Sequence, residues 1–80
     1  SGPGSELRVT NRMRQELSAL IKRFNIKSIA DAPCGDLNWM QHVDIGNCRY
    51  IGFDIVQELI ERNKQIFGPE REFKHANLID

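Results

Sequence analysis

Asp31 and Asp36 bracket a turn of small residues, Ala32-Pro33-Cys34-Gly35, and Asp54 follows Gly35 by 19 positions. Carboxylates accept hydrogen bonds and attract cations. Two of them beside one turn repel a pyrophosphate and suit a ligand with a positive charge and an amino group. The turn invites close approach, because Gly35 can take φ > 0 or let a ligand reach the backbone. Pro33 fixes its own φ and holds Ala32 extended. An acid about 20 residues after such a turn, at the tip of a second strand, is placed to accept hydrogen bonds from ribose 2′- and 3′-hydroxyls. The competing role for Asp54 is to cap the next helix, with Gln57 three residues on as in a capping box. The spacing from Gly35 favours ribose. A dinucleotide loop would need G-x-G-x-x-G, but Leu37 and Met40 stand where the later glycines belong.

These residues need a scaffold. Ile26 to Ala32 reads as a short strand, apolar on both sides as in a buried parallel sheet. Asn38 to Val43 reads as a short helix after the loop, with Trp39, Met40 and Val43 on its apolar side. A buried strand that stops in a small-residue turn at a helix N-terminus is the nucleotide-binding corner of a doubly wound α/β sheet. Gly46-Asn47 marks a turn. Arg49 to Ile55 is a second strand, carried by Tyr50, Ile51 and Phe53. Val56 to Phe67 is a helix with Val56, Leu59, Ile60, Ile66 and Phe67 toward the sheet and Asn63 interrupting that stripe. Gly68-Pro69 ends it. Glu70 to Asn77 holds a third strand, with Phe73 and Ala76 inward and His75 at the margin.

Ahead of the first strand, Glu6 to Phe24 is amphipathic. Val9, Met13, Leu17, Leu20, Ile21 and Phe24 form one stripe, Thr10 or Asn11 caps its start, and Asn25 closes it. The order helix–β–α–β–α–β with right-handed crossovers predicts three parallel strands in the order 3-2-1, a partial Rossmann-like sheet with flanking helices.

The run Ser28 to Asp36 and the residues after it resemble the first motif of class I, Rossmann-like, S-adenosylmethionine-dependent methyltransferases. That motif is D-x-G-x-G-x-G, and here its frame reads Asp31, Pro33, Gly35, Leu37. The stretch is more similar to a bacterial subgroup whose loop reads D-x-P-C-G-D-x-N-W-M, matched by Asp31, Pro33, Cys34, Gly35, Asp36, Asn38, Trp39 and Met40. The resemblance covers Thr10 to Asp80. It implies that residues 6–80 are the N-terminal, cofactor-binding half of a methyltransferase domain. It also implies S-adenosylmethionine as cofactor, bound by Asp31, Ala32, Pro33, Cys34, Gly35, Asp54, Ile55 and Asn77. Asn77-Leu78 stands where the family has an acid and a hydrophobic residue near the adenine amino group, with Asp80 as a second candidate. No catalytic residue is implied, because a base for the methyl acceptor would come from later loops. The alternative is a small α/β module that binds a nucleotide or a protein without catalysis.

Composition bounds the rest. The chain has 80 residues, 40% hydrophobic and 28% charged, which is ordinary for a globular domain. Residues 1–5, Ser-Gly-Pro-Gly-Ser, read as a tag remnant. No run approaches the roughly 20 apolar residues of a membrane span. Net charge is zero, but residues 6–27 carry six basic and two acidic residues, and 28–80 carry five and nine. The basic stretch reads as a solvated helix face rather than a nucleic-acid surface. Cys34 and Cys48, with His42 and His75, have no metal-ligand or redox spacing, which points to a reduced, cytoplasmic protein. Cys34 reads as a small residue chosen for fit. The free edge of the first strand predicts a homo-oligomer.

Overall fold

A computed structural model describes residues 11–77. Residues 1–5, the helix start expected at residues 6–10 with Thr10 as a candidate cap, and Leu78 to Asp80 lie outside the described residues. The elements are helix α1 (Asn11–Arg23), strand β1 (Ser28–Asp31), one 3₁₀ turn (Met40–His42), strand β2 (Arg49–Asp54), helix α2 (Gln57–Phe67) and strand β3 (Glu72–His75). The three strands are parallel and β2 is the middle one, giving the neighbour relations of the expected 3-2-1 order. Ser28 pairs with Arg49, and Ile51 pairs with Glu72. The Arg49 guanidinium forks onto both Glu72 carboxylate oxygens at 2.9 Å, tying the starts of β2 and β3 together.

The core lies on one face of the sheet. Alternation and register put Ile29, Asp31, Tyr50, Gly52, Asp54, Phe73 and His75 on that face. Helix α2 packs there against β2 and β3. Leu37, Met40, Val43, Tyr50, Ile60 and Phe73 form the buried cluster. The opposite face carries Ser28, Ala30, Ile51, Phe53, Glu72 and Lys74, none of them fully buried. The strand expected at Ile26 to Ala32, apolar and buried on both sides, is therefore shorter and covered on one side only. Ala30 and Ile26 are exposed.

Helix α1 ends as the sequence indicates and packs differently. Asn25 takes φ +52, its N–H donates to Lys22 O, and Ile26 N–H donates to Ile21 O. This is a Schellman end with Asn25 in the left-handed position. The helix buries only part of the expected apolar stripe. Ser18 and Ile21 are buried and Leu17 is half-buried, whereas Met13, Leu20 and Phe24 face out. The Ser18 hydroxyl donates to Asp44 O at 2.5 Å, and Lys22 Nζ lies 2.7 Å from Asp44 Oδ2. These polar ties to the loop before β2 set the helix roll.

The helix expected at Asn38 to Val43 is reduced to the single 3₁₀ turn. Leu37 has φ +59 and is 1% exposed. A left-handed residue there breaks helical continuity out of the loop while sending its side chain into the core. Arg71 then holds the turn from outside, donating from Nη1 to Met40 O at 2.8 Å and from Nη2 to Val43 O at 3.0 Å. Trp39 is partly exposed rather than core.

Helix α2 ends at Phe67 as expected, but by a different route. Gly68 is extended, φ −80 and ψ 159, and a Cβ on it would stand 2.7 Å from Lys64 O. Glycine is needed there for room, not for a left-handed cap.

Candidate ligand-binding corner

The corner is built where β1 and β2 end. After Asp31 the chain passes a cis Ala32-Pro33 peptide, and Cys34 N–H rejoins the sheet by donating to Phe53 O at 2.9 Å. Cys34 then lies over Gly52. A Cβ at Gly52 would come 3.0 Å from Cys34 Cβ, Phe73 Cδ1 and Tyr50 Oη alike. Only a glycine on β2 lets the loop come down this far.

Gly35 is held at both ends. It has φ +58; its N–H donates to Asp54 Oδ2 at 3.0 Å and its carbonyl accepts from Asn63 Nδ2 at 2.7 Å. A Cβ built on Gly35 meets nothing within 4 Å, so open space lies against the loop. Asp36 Oδ1 accepts Asn38 N–H at 3.0 Å, an Asx turn that fastens the loop to itself.

Asp54 is 5% exposed and heavily engaged. Oδ2 accepts from Gly35 N, Oδ1 from Val56 N at 2.9 Å, and its backbone carbonyl from Ala76 N at 2.9 Å. The capping role weighed against ribose binding is not what Asp54 performs: the N-cap of α2 is Val56, with no side-chain cap bond, and the carboxylate instead accepts the N–H of Val56 itself, two residues on. Each carboxylate oxygen keeps a second lone pair.

Asp31 differs. It is half-buried, and Tyr50 Oη donates to its Oδ2 at 2.7 Å. Among the described residues its Oδ1 accepts no hydrogen bond and no cation pairs with it. Burial, then the neighbouring Asp31 carboxylate, pushes the Tyr50 phenol up, so it stays a donor. The Cys34 thiol is pushed up to about 11, first by burial and then by Asp54 and Asp31. It is a thiol at neutral pH and no nucleophile, in keeping with a residue chosen for fit.

The contacts thus bring Asp31, Cys34, Gly35 and Asp54 into one corner. Ala32 and Pro33 are exposed on its rim. Ile55 is 51% exposed at the tip of β2, with His75 Nε2 3.0 Å from its carbonyl oxygen. Asn77, also exposed, follows the Ala76 amide that bonds Asp54 O. Tyr50, Asn63 and Arg71 also build the corner, and the sequence reading gave them no role there. Asn63 carried a signal: an amide at a core-facing helix position must find a partner. A separate cleft of about 660 Å³, lined by Arg14, Ser18, Lys22, His42 and Asp44 among others, includes no residue of this corner.

Among the described residues no helix is long and apolar enough to cross a membrane, and no cluster of His, Cys, Asp or Glu could hold a metal ion. No family model, no curated protein and no solved structure matches the chain.

Proposed function

We propose that this chain is the cofactor-binding part of a class I S-adenosylmethionine-dependent methyltransferase, with a partial Rossmann-like fold. The observation that carries the reading is Asp31. One carboxylate oxygen is held by Tyr50 and the other accepts no hydrogen bond among the described residues, at the carboxyl end of a parallel strand. An unpaired carboxylate there suits the α-ammonium and sulfonium of S-adenosylmethionine and opposes a phosphate. The reduction of the following helix to a 3₁₀ turn also removes the helix N-terminus that a phosphate would use.

In this reading Cys34 and Gly35 line the approach, and Asp54 meets the ribose hydroxyls with its remaining lone pairs. Ala32, Pro33 and Ile55 form the rim, and Asn77 meets the adenine amino group. The sulfonium supplies an already activated methyl group. The protein's part is to orient it and exclude water. The acceptor and its base lie outside the residues assigned here, and the reading places the protein in the cytoplasm. A second reading, a binding module without catalysis, is favoured by the burial of Asp54, which suits a structural carboxylate.

Calorimetry on the full-length protein separates them. S-adenosylhomocysteine is expected to bind and ADP is not. Binding of ADP alone would support the module instead.

A further inference from the structure

We infer that Tyr50 is a positioning residue that gives this corner its preference for a cationic group, by fixing the carboxylate of Asp31. The inference rests on the reading of the corner given above. Tyr50 is 1% exposed, and its hydroxyl has one partner, Asp31 Oδ2 at 2.7 Å. A phenylalanine would fill the same core volume, and a buried hydroxyl is costly unless bonded. The hydroxyl therefore serves Asp31.

Its place is set from several sides. The ring meets Phe73 edge-on, with centroids 5.9 Å apart, and the Arg71 guanidinium lies 5.1 Å from its centroid on the other contact. Arg71 cannot swing to Asp31 without releasing Met40 O and Val43 O. Gly52 leaves the room the hydroxyl occupies, since a Cβ there would come within 3.0 Å of it.

The electrostatic result is specific. The groups around Asp31 are the neutral Tyr50 hydroxyl, the neutral Cys34 thiol and the engaged Arg71. None neutralises the carboxylate by direct pairing. Tyr50 pins one oxygen and leaves the other without a hydrogen bond or a directly paired cation among the described residues. An ammonium or sulfonium supplies what is missing. A neutral nucleoside does not.

Two ligands that share a nucleoside test this on the full-length protein: S-adenosylhomocysteine, which carries an ammonium, and 5′-methylthioadenosine, which does not. Tyr50→Phe is expected to weaken the first about tenfold, within the range for a hydrogen bond to a charged group, and to leave the second within about twofold. Asp31→Asn, a half-exposed change outside the core, is expected to give the same pattern and stands in should Tyr50→Phe fail to fold. Equal weakening of both ligands by Tyr50→Phe would mean a merely structural tyrosine and would overturn the inference. So would unchanged binding of S-adenosylhomocysteine by either variant. If the unaltered protein binds neither ligand, the reading of the corner fails first and the inference with it.

Discussion

The side-chain amide of Asn63, on α2, donates to the carbonyl oxygen of Gly35, 28 residues earlier in the chain, at 2.7 Å. With Asp54 holding the Gly35 N–H, the left-handed residue of the loop is fastened from a helix on one side and a strand tip on the other. The loop's shape is stored in the layer beneath it.

Asn63→Ala should therefore destabilise the chain by about 1–3 kcal/mol, the cost of leaving a part-buried carbonyl without its donor. Urea unfolding measures it. The Oδ1 of Asn63 has no partner, so part of the loss is offset, and Asn63→Leu should cost less than alanine. An unchanged midpoint for Asn63→Ala would mean that the loop does not depend on α2.

The two glycines of the corner should fail in different ways. Gly35→Ala faces open space but must hold φ +58, at about 1–2 kcal/mol, and Gly35→Asn should recover much of that because asparagine tolerates the conformation. Gly52→Ala has no such conflict and instead crowds three neighbours at 3.0 Å, an overpacking cost of about 1–3 kcal/mol. Asparagine at 52 should be worse than alanine, reversing the order at 35. The same ranking at both sites would refute the distinction.

Much of this was legible in the sequence, and the limits are physical. The strand centres, the helix stop at Asn25 and the acids at the strand ends follow from local chemistry, periodicity and turn residues, and the central place of β2 follows from crossover handedness. The segment after the loop does not. Residues 38–43 look helical, but Leu37 in the left-handed region and the Arg71 fork onto Met40 and Val43 decide otherwise. Arg71 lies 28 residues beyond Val43, so no window around the turn contains the cause. Asn63 has the same character: it reads as a flaw in an apolar stripe until the loop it supports is present. The roll of α1 turns on Ser18 and Lys22 meeting Asp44, a polar choice that an apolar stripe cannot convey.

Stability should fall in mild alkali. The Cys34 thiol moves from 9.0 up to about 11 on folding. Below about pH 9 both states keep the proton. Between 9 and 11 the unfolded chain releases it while the folded chain holds it, so stability declines as pH rises. The buried Tyr50 phenol, also raised, adds its own decline from about pH 10. Cys34→Ala should flatten the curve between pH 9 and 10 and leave the steeper part above it. A curve with the same slope in that window would show that Cys34 titrates alike in both states.

Asp54→Ala removes an acceptor from both Gly35 N and Val56 N. If the corner binds as proposed, it should weaken S-adenosylhomocysteine by tenfold or more, about 1.5–3 kcal/mol for a charge-assisted bond. A change within about twofold would end the ribose assignment. The 80-residue chain by itself should bind more weakly than micromolar, since in the proposed reading it supplies only part of the pocket wall.

The free edge of β1 should bring two copies together. Its other edge is bonded to β2, Ser28 and Ala30 are exposed, and the strand itself holds no proline. Unblunted edges pair with other chains, and two β1 strands meeting across a two-fold axis would continue the sheet. Sedimentation at about 10–100 μM, where such edges associate, should find a dimer or larger. A clean monomer with β1 amides protected from hydrogen exchange would mean that the edge is already covered.

The register has a consequence for how the chain folds. Ser28 meets Arg49 and Ile51 meets Glu72, each pair 21 residues apart. No hairpin is available among the described residues to zip such a sheet from a tight turn. Each pairing must close a long loop before any ladder bond forms, and closure entropy is spent in advance of the reward. Strand β2 belongs to both closures, so the transition state must contain it whichever side forms first. Substitutions in β2 should act mainly on the folding rate. Those in α1, which stands outside both loops, should act mainly on the unfolding rate.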